Sequence, residues 1–291
     1  MRFVACAGAL LLPAMAVAQV DPKCEGIEQP SDYDEQTQQD FMSNYVALAS
    51  TWSAGHAPIP HEPGHGVFGL SLGVMPPLRC EKRFVLNWNK TEETNKAPVI
   101  PRLFARFAFP EVGPLVPWAS VAYLPPVPLL GTRNVVLSGA VGAGARIGDK
   151  LQLGGRFHAT SHRTIGEIAT PFTEEEPAVL DLYLASTFGF DLSAGYALGP
   201  VTPYASVGFT DASTFFYIGD DGVVTSNLHP YAGLAVSLGV EGRVGSGLYW
   251  SAELYGAPGG HSTPDPEVDT LKGYGRYGSL VTGRLQLGWE L

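Results

Sequence analysis

The stretch FHATSH, Phe157 to His162, sets bases beside hydroxyls: His158 stands two residues before Thr160, and Ser161 adjoins His162. An imidazole that takes the proton of a neighbouring hydroxyl makes it a nucleophile for acyl transfer. His56, His61 and His65 offer metal chemistry instead, but prolines and glycines space them, Glu62 is the nearby carboxylate, and no recognised ligand interval results. No metal site is assigned. A third group is ionic: Arg102, Arg106, Arg146, Arg156, Arg243 and Arg284 beside Asp181, Asp191, Glu241, Glu253 and Glu290. Which of these meet depends on the elements that carry them.

Those elements alternate with period two. In LDLYLASTFGFDLSAGYAL, Leu180 to Leu198, every even position except Ser186 is apolar, which describes a strand with one greasy face. The pattern recurs over 66–75, 101–109, 115–124, 133–147, 150–162, 180–198, 201–211, 229–243, 247–256 and 276–291. Connections at 110–114, 148–149, 199–200 and 244–246 are short. Those at 76–100, 163–179, 212–228 and 257–275 are long, and 125–132 is intermediate. Tight turns at one end and long loops at the other are the layout of a transmembrane antiparallel β-barrel, all-β, here of ten strands with both barrel ends in the periplasm. A secreted sandwich would carry more charge on its water-facing positions, where this chain has Gly, Ala, Ser and Tyr. Outward Phe109, Tyr196, Trp250 and Trp289 fall near the short-turn ends, and Phe157, Phe209 and Tyr277 near the other, as two interfacial girdles would.

The charged residues share the inward parity. The lumen-lining candidates are therefore Arg102, Arg106, Arg156, His158 and His162, with Asp181, Asp191, Glu241, Arg243, Glu253 and Arg284. Mixed charges in a narrow lumen pair with one another, since an unpaired buried charge is costly. They also offer a polar path or a binding site for a small solute. GAGAR and GVEGR are glycine-rich strand ends with no following helix, so no nucleotide site is implied. Cofactors and catalytic residues are not assigned.

Composition fits. Charged residues make up 16% of the 291, Gly numbers 35 and Pro 24, and aromatics reach 11%, unlike a disordered chain. A net charge of −10 argues against nucleic acid as a partner. MRFVACAGALLLPAMAVAQV reads as a secretory signal peptide ending at about Ala18, so residues 1–18 are expected to be removed. Residues 19–64 form a segment of another kind and 65–291 the barrel. From Ser31 and Asp32, good cap residues, to about Ser53, Phe41, Tyr45, Leu48 and Trp52 recur at helical spacing. GHAPIPHEPGHG then makes a stiff connector into the first strand. Cys24 and Cys80 are the one cysteine pair left after export, and are expected to bond in an oxidising compartment. That bond would send the helix down the lumen as a plug, with Ser138, Ala140, Gly142, Gly144, Gly189 and Gly233 making room. The alternative is a periplasmic helix with free thiols.

The terminal GRLQLGWEL resembles the last-strand signal that bacterial outer-membrane β-barrel proteins present to their assembly machinery, although it ends on Leu291 with its aromatic at Trp289. The resemblance implies the outer membrane of a Gram-negative bacterium, with lipids, lipopolysaccharide and the barrel-assembly machinery as partners. Acidic loops at 173–177, 219–221 and 265–269 offer carboxylates to divalent cations beside lipopolysaccharide, or are simply solvated. The outer-membrane lipid hydrolases carry a His-x-Ser pair on a strand; the matching positions here are His158 and Thr160, facing inward rather than toward lipid. No enzyme is expected, and hydrolysis ranks third. A pore or transporter for small solutes ranks first, and a structural or surface-interaction barrel with working loops second. An open inward path favours the pore; a helix packed on the luminal arginines favours the sealed barrel.

Overall fold

Among the described residues twelve strands follow one another, ten of them closed into a single antiparallel barrel. The computed structural model describes residues 44–53, 55–76, 85–86, 90–91, 99–129, 132–167, 177, 179–219, 223–245, 247–258 and 280–291. The strands are β1 (Gly66–Val74), β2 (Val85–Leu86), β3 (Lys90–Thr91), β4 (Val99–Ala108), β5 (Leu115–Leu129) and β6 (Thr132–Ile147). Then come β7 (Leu151–Gly166), β8 (Asp181–Tyr196), β9 (Val201–Ile218), β10 (Val223–Val244), β11 (Leu248–Ala257) and β12 (Leu280–Glu290). β2 and β3 pair only with each other, between β1 and β4. The others pair in chain order, and β1 closes the ring on β12 from Val67–Glu290 to Gly73–Arg284.

Side-chain parity decides which face meets lipid. Along β8, Asp181, Tyr183, Ala185, Thr187, Gly189 and Asp191 are buried, while Phe188, Phe190, Leu192 and Tyr196 are exposed. The apolar residues therefore face outward and the polar ones inward, the reverse of a soluble protein, as expected where the surroundings are hydrocarbon. Trp118 and Tyr123 of β5, which fall on opposite parities in the sequence, occupy opposite faces, 3% and 42% exposed. Phe157, Phe190 and Phe209 stand opposite one another on β7, β8 and β9, an outward aromatic row. Closure leaves the ladder no free edge. This is the architecture of an outer-membrane β-barrel.

The loops read at 125–132 and 212–228 are corrected by the structure. β5 and β6 continue to Leu129 and Thr132, and β9 and β10 to Ile218 and Val223. The register shifts between Leu124 and Val127, at Pro125 and Pro126, and between Asn227 and Tyr231, beside Pro230. Such a bulge breaks the alternation while pairing goes on, so a strand looks like a loop in sequence. The barrel is lopsided in consequence. β5 to β10 are 15 to 22 residues long, and β1, β4, β11 and β12 only 9 to 11.

Candidate functional site in the occupied lumen

The lumen contains the chain itself. Residues 44–50 are helical, and residues 51–61 run on without helix; all of those described are buried except half-buried Val46. The segment enters where β1 ends, with the Tyr45 hydroxyl donating to Pro76 O at 2.8 Å. It leaves at the short turns, where residue 66 opens β1. The helix stops short of the expected Ser53. The Ser50 and Thr51 hydroxyls both donate back to Ala47 O, at 2.8 and 3.2 Å, drawing off the last turn before Gly55 and the prolines forbid its continuation. Residues 31–43 lie outside the described residues, as do Cys24, Cys80, the signal peptide and most of the acidic loops.

Three levels of wall meet this segment. At the outer level Tyr45, Ala47, Leu48 and Ala49 join one apolar cluster with Met75, Ile100, Leu124, Val136, Tyr183 and Phe216 among others. At mid-height the wall supplies hydroxyls. The Thr51 and Thr187 hydroxyls meet at 3.2 Å, Trp52 N donates to Thr160 Oγ1 at 2.9 Å, and the indole N–H to Ser120 Oγ at 3.2 Å. Arg102 donates to Ser50 O at 2.5 Å and lies 5.7 Å from the Trp52 ring.

The lower level holds a bent, irregular chain whose backbone has no ladder of its own. Every buried amide and carbonyl needs a partner, so wall side chains provide them. Gly55 N donates to Glu253 Oε2 at 3.2 Å, and Gly55 O accepts from the Tyr249 hydroxyl at 2.7 Å. Ile59 N donates to Gln152 Oε1, Pro58 O accepts from the Trp118 indole, and Pro60 O accepts from Arg243, at 3.2, 3.2 and 3.1 Å. Pro58 sits in a glycine cleft. A Cβ on Gly144 would stand 2.5 Å from Pro58 O, and Cβ atoms on Gly154 and Gly195 would stand 3.0 Å from the Pro58 ring. At the mouth, Glu290 Oε1 takes both Arg243 Nε at 2.6 Å and His61 Nδ1 at 3.1 Å.

The remaining inward charges pair along the wall. Arg156 is directly opposite Asp191 in register and donates to it through Nε, at 2.9 Å, and Nη2. His158 Nε2 is 3.5 Å from the same carboxylate. Arg284 is directly opposite Glu253, at 3.9 Å, and packs 3.9 Å from the Tyr255 ring. Arg106 donates to Gln286 at 2.7 Å and to Tyr249 at 3.3 Å; the Tyr249 hydroxyl also lies 3.3 Å from Glu241. Asp181 accepts from Gly219 N at 2.8 Å, and His162 Nε2 meets the Thr164 hydroxyl at 2.9 Å.

The three candidate chemistries find different settings. His158 and Thr160 are 1% and 3% exposed on the luminal face, and the Thr160 oxygen is engaged by the Trp52 amide. His56 stacks edge-on to Trp118, His61 turns to Glu290, and His65 is exposed, so the three histidines diverge. Sequence reasoning missed Tyr249, Trp118 and Ser120 as partners of the segment. Their inward parity is legible, but nothing in a strand says what crosses in front of it.

No family model matches the chain, and no curated protein matches it. Among solved structures it is similar to the translocator domain of autotransporter NalP from Neisseria meningitidis, 12% identical over 95% of this chain and 99% of that one, TM-score 0.40. It is similar also to the outer membrane protease OmpT from Escherichia coli, 10% identical over 83% and 99%, TM-score 0.40. The Pseudomonas putida toluene transporter TodX is 12% identical over 80% of this chain and 70% of that one, TM-score 0.36. Likenesses this distant say nothing of activity.

Proposed function

We propose that this protein is a sealed outer-membrane barrel, its lumen closed by residues 44–61 and its outer end the working surface. The observation that carries this reading is the packing of Tyr45, Leu48, Trp52 and Ile59, all under 5% exposed, between rim and rim. Burying four such side chains is worth about 6–12 kcal/mol together. Arg102 on Ser50 O and Arg243 on Pro60 O add the contacts expected of a seal rather than a free path. The uneven rim, raised along β5 to β10, gives loops on that side a platform for a surface partner. Cys24 and Cys80 would pin the segment at the outer rim if bonded, which peptide mapping of unreduced protein tests directly.

Planar-bilayer recording decides the main point. Folded protein is expected to show no steady conductance, with or without reductant, whereas Trp52→Ser is expected to flicker open. Steady conductance in the unaltered protein overturns the sealed reading. A gated pore for small solutes is the second reading, favoured by one observation. Between β7, β8 and β12, both ring nitrogens of His158, Arg156 Nη1 and both Nη atoms of Arg284 lack hydrogen-bond partners among the described residues. They mark a polar track beside the segment, and conductance appearing only after reduction would support it.

A further inference from the structure

The outward face of the strands is apolar almost without interruption, and its exceptions are placed together. Among the residues whose side chains are described, Arg133 on β6 and Arg163 on β7 are the only basic side chains that the barrel strands turn outward along their lengths; both are exposed, and no ion pair or hydrogen bond joins either to another described residue. In the ladder Arg133 is opposite Ile165, and Arg163 is opposite Val135. The two arginines are thus diagonal neighbours, with Cα atoms about 7–8 Å apart, near enough for both guanidinium groups to reach one anion. One step nearer the short turns, Leu137 is opposite Ser161 and Ser161 opposite Ser186, which sets two exposed hydroxyls below the arginines. Below these again lie exposed Phe188, Phe190, Phe157 and Val141.

Height identifies the anion. Arg163 stands twelve residues along β7 from Leu151, the first residue of that strand. At about 3.3 Å per residue and a tilt near 40°, the rise is about 30 Å, just past an apolar band about 25 Å tall. The position is that of the phosphates of the outer leaflet. A guanidinium fork matches a phosphate in bidentate fashion, and apolar aromatics beneath it suit acyl chains. We propose that Arg133 and Arg163, with Ser161 and Ser186, form a binding site for the phosphorylated headgroup of an outer-leaflet glycolipid, lipid A being the source. The acyl chains lie on Leu137, Phe157 and Phe190. The site is independent of whether the lumen is sealed or gated.

Native mass spectrometry of the refolded full-length protein tests it, with three probes: bisphosphorylated lipid A, the same lipid dephosphorylated, and inorganic phosphate. Loss of two basic contacts at a charged leaflet weakens binding about thirty-fold. The expected result is that Arg133→Gln/Arg163→Gln binds bisphosphorylated lipid A that much more weakly than the unaltered protein. Dephosphorylated lipid should bind the unaltered protein no better than bisphosphorylated lipid binds the variant. Equal binding of both lipids by the unaltered protein overturns the site, even if the variant does not fold. So does a folded variant of unchanged affinity. Inorganic phosphate binding as tightly as the lipid would assign the arginines to a soluble anion and overturn the lipid assignment.

Discussion

The two halves of the luminal segment are held by opposite means. The outer half is a helix whose Leu48 and Tyr45 sink into a cluster of Tyr, Phe, Met and Leu from the wall. The inner half is a bent, proline-bearing chain without helix, fixed by Glu253, Tyr249, Gln152, Arg243 and Glu290, with Pro58 seated over glycines. A helix with its side chains needs about 10–12 Å of width. A single non-helical chain needs less, but its backbone asks the wall for hydrogen bonds that a helix makes internally. The comparison teaches that a narrow lumen can be filled by trading volume against polarity: apolar bulk where the segment is helical, wall donors and acceptors where it is not.

The largest effect should fall in the inner half. Glu253→Ala removes the acceptor of Gly55 N and Tyr204 and leaves Arg284 buried without its carboxylate, costing about 3–5 kcal/mol in urea unfolding from lipid vesicles. If it costs less than a truncation in the outer half, polar anchoring is not what holds the inner one. Leu48→Ala in the outer half should cost about 2–5 kcal/mol, and because the loss is cavity and transfer rather than charge, the difference should not change with salt. A salt-sensitive Leu48→Ala would break the division. Gly144→Ala places a methyl against the Pro58 backbone, which cannot swing aside, and is expected to cost about 1–3 kcal/mol while raising the frequency of conductance flickers. The smallest effect belongs to the Arg146–Glu62 pair, 3.3 Å apart and exposed at the mouth; Arg146→Gln should change stability by about 0–1 kcal/mol, and less as salt rises.

The wall was more legible in the sequence than what it encloses. The parity of Leu180 to Leu198 assigned both faces of β8, and with them the side on which Asp181 and Asp191 lie. Partner choice needed register. Arg156 meets Asp191, and Arg284 meets Glu253, because each pair sits directly opposite across one ladder, which follows only once the strand ends are known. The upper parts of β5 and β10 were hidden by Pro125, Pro126 and Pro230, since a bulge erases the period that sequence reading depends on. Tyr45, Leu48 and Trp52 announced a helix, but Trp52 lies beyond its end, where the stripe still packs although the chain is no longer helical. The prolines of the connector suggested stiffness. Nothing local indicated that Pro58 and Ile59 would lie within the barrel, because the glycines that receive them are scattered over β6, β7 and β8.

The segment that fills the lumen runs directly into β1, and β1 closes the ring on β12. Closure therefore surrounds a piece of chain already connected at one end to the seam. Once Val67 to Gly73 have paired with β12, residues 44–61 can depart only by being drawn lengthwise through the ring or by unzipping that seam. Occupancy of the lumen becomes a matter of history as well as affinity: a molecule that closes with the segment outside cannot readily correct itself.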